Sequence, residues 1–173
     1  MAFNVREIFG ALNDAEVDYV VVGGLAVILH GYLRATADLD LAIGLSPENA
    51  RRGMLALASI GMRPRLPVAL EDFADADKRA DWINTRNMLV FPLWDPANPL
   101  RSVDVFINEP IAFHRLLEDA VVKDLGGLPV PVASIDHLIE MKRLAGRPRD
   151  LEDIDKLQQI RDAKQAEADD CQS

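Results

Sequence analysis

The sequence predicts one α/β domain: a small mixed β-sheet with flanking helices, followed by further helices at the C-terminus. Short β-branched runs such as Val20-Val21-Val22 and Val103-Asp104-Val105-Phe106-Ile107 have the length and composition of strands. Between them lie stretches with apolar residues at helical spacing, as in Val5, Ile8, Phe9 and Leu12. At 173 residues the chain suits a single domain, drawn here as 1–165 with 166–173 a frayed tail.

Taken in order, Val5 to Leu12 reads as an amphipathic helix. Asp18 to Val22 reads as a buried strand ending at Gly23-Gly24, and Leu25 to Leu33 as an uncharged, buried helix. Ala37 to Ile43 alternates with period two, giving a strand with one acidic edge and one apolar face. Ser46-Pro47 opens a helix, Ser at the N-cap and Pro at the first helical position, that runs to about Ile60 and stops at Gly61. A loop and a short acidic helix, Leu70 to Asp77, follow. Met88 to Phe91 and Val103 to Ile107 are two further strands, with the proline-rich stretch Pro92 to Pro99 as the turn between them. Pro110 to Leu117 is a helix, and Val121-Val122 with Val130 to Val132 a hairpin around Gly126-Gly127. Ser134 caps a helix through Leu144 that Gly146 ends, and Pro148 begins a last helix to about Ala163.

Composition narrows the function. Apolar residues make up 49% and charged residues 27%, as in ordinary water-soluble proteins. No signal peptide or membrane span is expected, so the chain reads as cytoplasmic. The single cysteine, Cys171, rules out a disulfide framework or a cysteine-based zinc site. A net charge of −9 argues against non-specific nucleic-acid binding over the whole surface. Much of that charge lies in residues 151–173, with seven acids against three bases. The basic side chains Arg51, Arg52, Arg63, Arg65, Lys78 and Arg79 keep a polyanionic partner open at one patch.

The chemistry-bearing stretch is Gly23-Gly24 followed by Asp38-Leu39-Asp40. A strand entering two glycines and then a helix lets backbone approach a ligand, and the helix aims free N–H groups at an anion there. The same pair also suits a plain tight turn. Asp38 and Asp40 leave one face of a strand, roughly 6.6 Å apart along the backbone. Converging carboxylates repel, by roughly 4 kcal/mol at 4 Å in an effective dielectric near 20, and a divalent cation removes that cost. An isolated Asp-x-Asp also suits a solvated strand face. Asp104, between Val103 and Val105, would complete a three-carboxylate cluster if its strand lies beside the first two acids. Three such acids can hold two Mg²⁺ ions about 3.5–4 Å apart, the arrangement that assists in-line displacement at phosphorus.

Gly23-Gly24, thirteen intervening residues, Asp38-Leu39-Asp40 and a later strand-borne Asp resemble the polymerase-β-type nucleotidyltransferase superfamily. Arg34-x-Thr36-x-Asp38-Leu39-Asp40 and the run Lys142 to Asp153 are similar to its AbiEii-like bacterial branch, which includes toxins of toxin–antitoxin pairs. The resemblance implies that Gly23 and Gly24 cradle a triphosphate. It makes Asp38 and Asp40 ligands of both Mg²⁺ ions (with Mn²⁺ able to substitute), and Asp104 the third acid, able to take the proton of the attacking hydroxyl. Arg34 would meet phosphate or a neighbouring carboxylate, and Thr36 belongs to the same nucleotide-binding segment. Lys142 would reach the triphosphate, oriented by Asp150 and Asp153, although helix-end electrostatics also accounts for it. Arg143 and Arg147 read as helix-end charges. The chain departs from the superfamily in having Gly-Gly where Gly-Ser is common. It also has Val22 where some toxin relatives have lysine.

P-loop, Rossmann, zincin and hydrolase-elbow patterns are absent. His30, His114 and His137 lack metal-ligand spacing and read as helix residues with local hydrogen bonds, and Trp82 and Trp94 read as covers for the sheet edge rather than base-stacking platforms. The expected function is Mg²⁺-dependent transfer of a nucleoside monophosphate from an NTP to the hydroxyl of a tRNA, protein or small molecule, with an antitoxin as a candidate partner. The alternative is an inactive module of the same fold that serves as a binding or antitoxin-like regulatory subunit.

Overall fold

The computed structural model describes residues 5–170. Among them, seven strands form one mixed sheet: β1 (Tyr19–Val22), β2 (Leu39–Ile43), β3 (Arg63–Pro64), β4 (Val90–Asp95), β5 (Asn98–Phe106), β6 (Val121–Asp124) and β7 (Pro129–Val132). Their order across the sheet is β3-β4-β5-β2-β1-β7-β6. β2 is central, antiparallel to β1 and parallel to β5, and β1 is parallel to β7. The β-branched runs therefore occupy the middle of the sheet, where Val20, Val21, Val22, Leu39, Leu41, Val103 and Val105 are fully buried.

The α-helices of the described residues flank the sheet: α1 (Val5–Asp14), α2 (Gly23–His30), α3 (Pro47–Ser59), α4 (Ala76–Arg86), α5 (Phe113–Glu118), α6 (Ile135–Ala145) and α7 (Pro148–Asp170). Helix α1 packs on α3, which also touches β2, whereas α2, α6 and α7 pack together. The capping signals hold. The Asn49 N–H donates to Ser46 Oγ at 3.3 Å, and the His137 N–H to Ser134 Oγ at 3.2 Å. Gly146 ends α6 in the left-handed region at φ +62°.

Several boundaries differ from the sequence reading. Helix α2 begins at Gly23 and stops at His30, so the two glycines form its first turn, and Gly31 at φ +118° ends it. Strand β2 begins at Leu39, leaving Asp38 at the bend that leads into it. The proline-rich stretch is a hairpin arm rather than a turn, with Pro92 inside β4 opposite Asp104. The ring costs β4 no bond to β5 there. Pro92 turns its backbone toward β3, where its C=O accepts from the Arg65 N–H at 2.9 Å, and β3 pairs only with Leu93 and Trp94.

The acidic segment splits into a 3₁₀ turn, Leu70–Ala74, and helix α4, which the sequence reading ended too early. Asp75 caps α4 by accepting from the N–H groups of Asp77 and Lys78, and Trp82 stacks on Phe91 with ring centroids 5.3 Å apart. Helix α7 continues past Ala163, so 166–170 prolong a helix, while the remainder of the expected tail lies outside the described residues. Among the described residues, no helix is long and apolar enough to cross a membrane.

Candidate active site

Register brings the acids together. β2 and β5 run parallel with Asp40 opposite Asp104, and parallel partners put their side chains on one face of the sheet. Asp38, two residues upstream, shares that face. Its carboxylate accepts a hydrogen bond from the hydroxyl of Ser102, which sits two residues before Asp104. Leu39 and Leu41 point the other way into the core.

The glycines are fixed by this crowding. Gly23 has φ +64°, and a Cβ there would lie 2.0 Å from Asp40 Oδ2. A Cβ at Gly24 would lie 2.5 Å from Thr36 Oγ1 and 2.8 Å from Arg34 Nη2. The double glycine therefore lets the first turn of α2 sit against the acidic strand on one side and against the Arg34–Thr36 segment on the other. Thr36 Oγ1 donates to the Asp38 carbonyl at 3.3 Å, bracing the bend.

The electrostatics are those of a site short of positive charge. Burial, and then the neighbouring Asp104, push Asp40 up to about 6. The Gly24 amide, which hydrogen-bonds this carboxylate, draws it back only in part; Asp38 raises it further, and Arg147 lowers it. Asp104 is also raised, first by burial and then by Asp38, with Arg65 opposing. Hard oxygen donors that repel one another across a sheet face suit a divalent cation. Among the described residues, however, no three acidic, histidine or cysteine side chains are close enough to enclose a metal ion. Asp40 and Asp104 form the inner, register-paired acids, and one carboxylate oxygen of Asp38 takes the Ser102 hydroxyl.

A cavity of about 440 Å³ opens over this pair, with Gly23, Asp40, Asp104, Lys142 and Arg147 on its polar side. Lys142 is buried at 5% exposure, and its Nζ lies 2.6 Å from Asp153 Oδ2 and 3.3 Å from Asp150 Oδ1. Asp153 also takes Arg34 Nη2 at 3.1 Å, so Arg34 meets a carboxylate. Arg147, read from sequence as a helix-end charge, binds Asp150 at 2.9 Å and stands in the cavity wall within electrostatic reach of Asp40. Its place between two helices, in a run of mixed charges, gives no hint of this; only the fold turns it toward β2. Asn108 in the same wall also escapes the sequence reading, although it continues the period-two series of Asp104 and Phe106.

The residues set aside do not line this cavity, but the expected local hydrogen bonds of the histidines are replaced by partners distant in sequence, and Trp82 lies in the core rather than over the sheet edge. His30 Nε2 bonds the Ala133 carbonyl at 2.8 Å, and His137 Nε2 lies 3.5 Å from Asp119. Arg65 lies over the Trp94 ring at 5.6 Å.

No family model and no curated protein sequence matches the chain. Solved structures do. The antibiotic-resistance factor ANT(2")-Ia, in complex with adenylyl-2"-tobramycin, superposes with a TM-score of 0.59 at 14% identity, covering 95% of this chain and 91% of that one. The lincosamide antibiotic adenylyltransferase LnuA, lincomycin-bound, gives 0.59 at 15% identity over 92% and 98%. A putative nucleotidyltransferase from Thermotoga maritima gives 0.56 at 16% identity over 88% of each chain. The fold is nucleotidyltransferase-like.

Proposed function

We propose that this chain transfers a nucleoside monophosphate from an NTP to an acceptor hydroxyl, using Asp40 and Asp104 as the inner acids and Asp38 as the third. The observation that carries this reading is the register of Asp40 with Asp104, set against a glycine turn that has no room for a side chain. Asp38, Asp40 and Asp104 would hold Mg²⁺, or Mn²⁺ in its place, and two such ions would supply charge neutralisation at the triphosphate and at the leaving pyrophosphate.

The chain's own groups do the rest. The start of α2 at Gly23 and Gly24 would offer phosphate its positive dipole end, while the Gly24 N–H is already taken by Asp40. Lys142 and Arg147 add cationic charge on the same side of the cavity. Asp104 would accept the proton of the attacking hydroxyl. The acceptor oxygen bonds to the α-phosphorus as the bond to pyrophosphate breaks, and the acceptor proton passes to the carboxylate. The adenylyl product in the ANT(2")-Ia complex supports nucleotide transfer by a chain of this fold. A toxin role with an antitoxin partner rests on the likeness of the Arg34–Asp40 and Lys142–Asp153 segments to the AbiEii-like branch, and the acceptor follows from neither.

The test is transfer from α-labelled NTPs to a panel of tRNA, protein and small hydroxylated acceptors, with Mg²⁺ or Mn²⁺. Wild type should label at least one acceptor, and Asp40→Asn and Asp104→Asn should each lose more than about a hundredfold, beyond the usual range for groups that only support a ligand. Absence of transfer together with absence of metal-dependent NTP binding would leave the inactive, partner-binding module as the correct reading.

A further inference from the structure

The ion cluster beside the cavity holds more cations than its acids require. Among the described residues, Lys142, Arg34 and Arg147 pair with two carboxylates, Asp150 and Asp153. Two of the three cations are enclosed. The side chains of Lys142 and Arg34 are 6% and 15% exposed, and both close on Asp153, at 2.6 Å and 3.1 Å. Arg147 differs: its side chain is 72% exposed, and it lines the cavity together with Asp40 and Asp104. The surplus positive charge of the cluster therefore stands on its most accessible member, in the wall of the site.

Arg147 can also be released without stranding an acid. Its guanidinium holds Asp150 through Nε at 2.9 Å and Nη2 at 3.4 Å. When the guanidinium turns away, Asp150 keeps the Arg147 backbone N–H at 3.1 Å and Lys142 Nζ at 3.3 Å. Two cations then remain for two carboxylates. Lys142 has no such freedom, because it lies buried between both acids, and a buried acid left unpaired is costly.

We infer that Arg147 takes the outer phosphates of the NTP and holds the pyrophosphate as it leaves, while Lys142 stays with Asp150 and Asp153. The inference rests on the nucleotidyltransferase reading and assigns a residue to one half of its substrate. With the α-phosphorus at Asp40 and Asp104, the β- and γ-phosphates extend along the cavity wall. Much of that wall is apolar, and Leu89, Phe106, Leu138 and Met141 offer nothing to an anion. A guanidinium presents paired N–H groups that match phosphate oxygens, so Arg147 exchanges one anionic partner for another. The pyrophosphate takes the bonding electrons with it, and the added charge meets a cation.

Calorimetric titration of the full chain in Mg²⁺ tests it, with inorganic pyrophosphate and the tightest-binding of ATP, GTP, CTP and UTP as ligands. Wild type should bind both. Arg147→Gln should weaken both by about tenfold or more, the loss of one charge-assisted contact, and should melt close to the wild-type temperature. Arg147→Lys, which keeps the charge but not the fork, should recover part of the affinity. A residue that only supports the fold would lower the melting temperature and gain nothing from lysine over glutamine. That pattern, wild-type affinity for pyrophosphate in Arg147→Gln, or a wild type that binds an NTP but not pyrophosphate overturns the inference and leaves the transferase reading standing. If wild type binds none of the four NTPs, both fall.

Discussion

Two clusters of carboxylates lie side by side in this fold, and they are built on opposite principles. Asp150 and Asp153 on α7 are 2% and 1% exposed and meet Lys142, Arg34 and Arg147, so each negative charge has a cation within hydrogen-bond distance. Asp40 and Asp104 on the sheet have each other instead, and both are pushed up by burial and by neighbouring acid. The first cluster is complete within the chain and fastens α7 to α6 and to the loop after α2. The second has no cation at salt-bridge distance among the described residues, with Arg147 and Arg65 acting only from further off, which leaves room for a positively charged ligand. Similar residue types thus serve architecture in one place and chemistry in the other, and the difference is whether a counter-charge was supplied.

The largest expected effect falls on the complete cluster. Asp153→Ala takes the carboxylate from Arg34 and the nearer of two from Lys142, which keeps Asp150 at 3.3 Å, and breaking a buried pair from one side costs about 3–5 kcal/mol. Chemical denaturation should show that loss, and Asp153→Asn, which keeps the shape and part of the hydrogen bonding, should lose less. If Asp153→Ala proves neutral, the contrast between the clusters is wrong.

Asp40→Asn should move the other way. A carboxyl raised from 3.8 to about 6 in the folded chain binds its proton more tightly folded than unfolded. Its contribution is fully present below the unfolded value and is lost as the pH rises through about 6. That shift corresponds to at most about 3 kcal/mol of stability missing at neutral pH. The variant should therefore be more stable than wild type at pH 8 and no more stable at pH 4, while transfer is abolished. Stability that gains nothing from the substitution at pH 8 would mean that Asp40 already has a counter-charge.

Gly23→Ala comes next. Its φ of +64° and the 2.0 Å approach to Asp40 Oδ2 leave no place for the methyl group without shifting the carboxylate. A loss of about 1–3 kcal/mol is expected, with nucleotide binding lost together with stability. Nucleotide binding at wild-type strength would show that the turn does not set the position of the acid.

Much of this contrast was legible in the sequence. Period-two alternation placed Asp38 and Asp40 on one face, and a lone acid between Val103 and Val105 suggested a neighbouring strand. Ser46, Ser134 and Gly146 marked helix ends because caps are local chemistry. What escaped was set by tertiary contact. Three prolines suggested a turn where β4 runs, because a sequence does not show that the ring's missing N–H would face away from β5, toward the short outer strand. Arg147 looked like a helix-end charge, and only the packing of α6 and α7 brings it near Asp40. Asp38 looked like a strand residue equal to Asp40, yet it sits at the bend before β2, tied to Ser102.

That tie yields the smallest of the expected effects and the one that bears most directly on how the incomplete cluster closes. The Ser102 hydroxyl occupies one oxygen of the Asp38 carboxylate, so a cation that draws on that oxygen competes with it. Ser102→Ala removes the competitor and about 0.5–1.5 kcal/mol of hydrogen bonding with it. The variant should be slightly less stable without metal and should bind Mn²⁺ several-fold more tightly, so that added Mn²⁺ raises its melting temperature more than that of wild type. Asp38→Asn in the same background should erase the gain. Unchanged Mn²⁺ affinity in Ser102→Ala would mean that Asp38 stays on the rim and that the inner pair binds the ion without it.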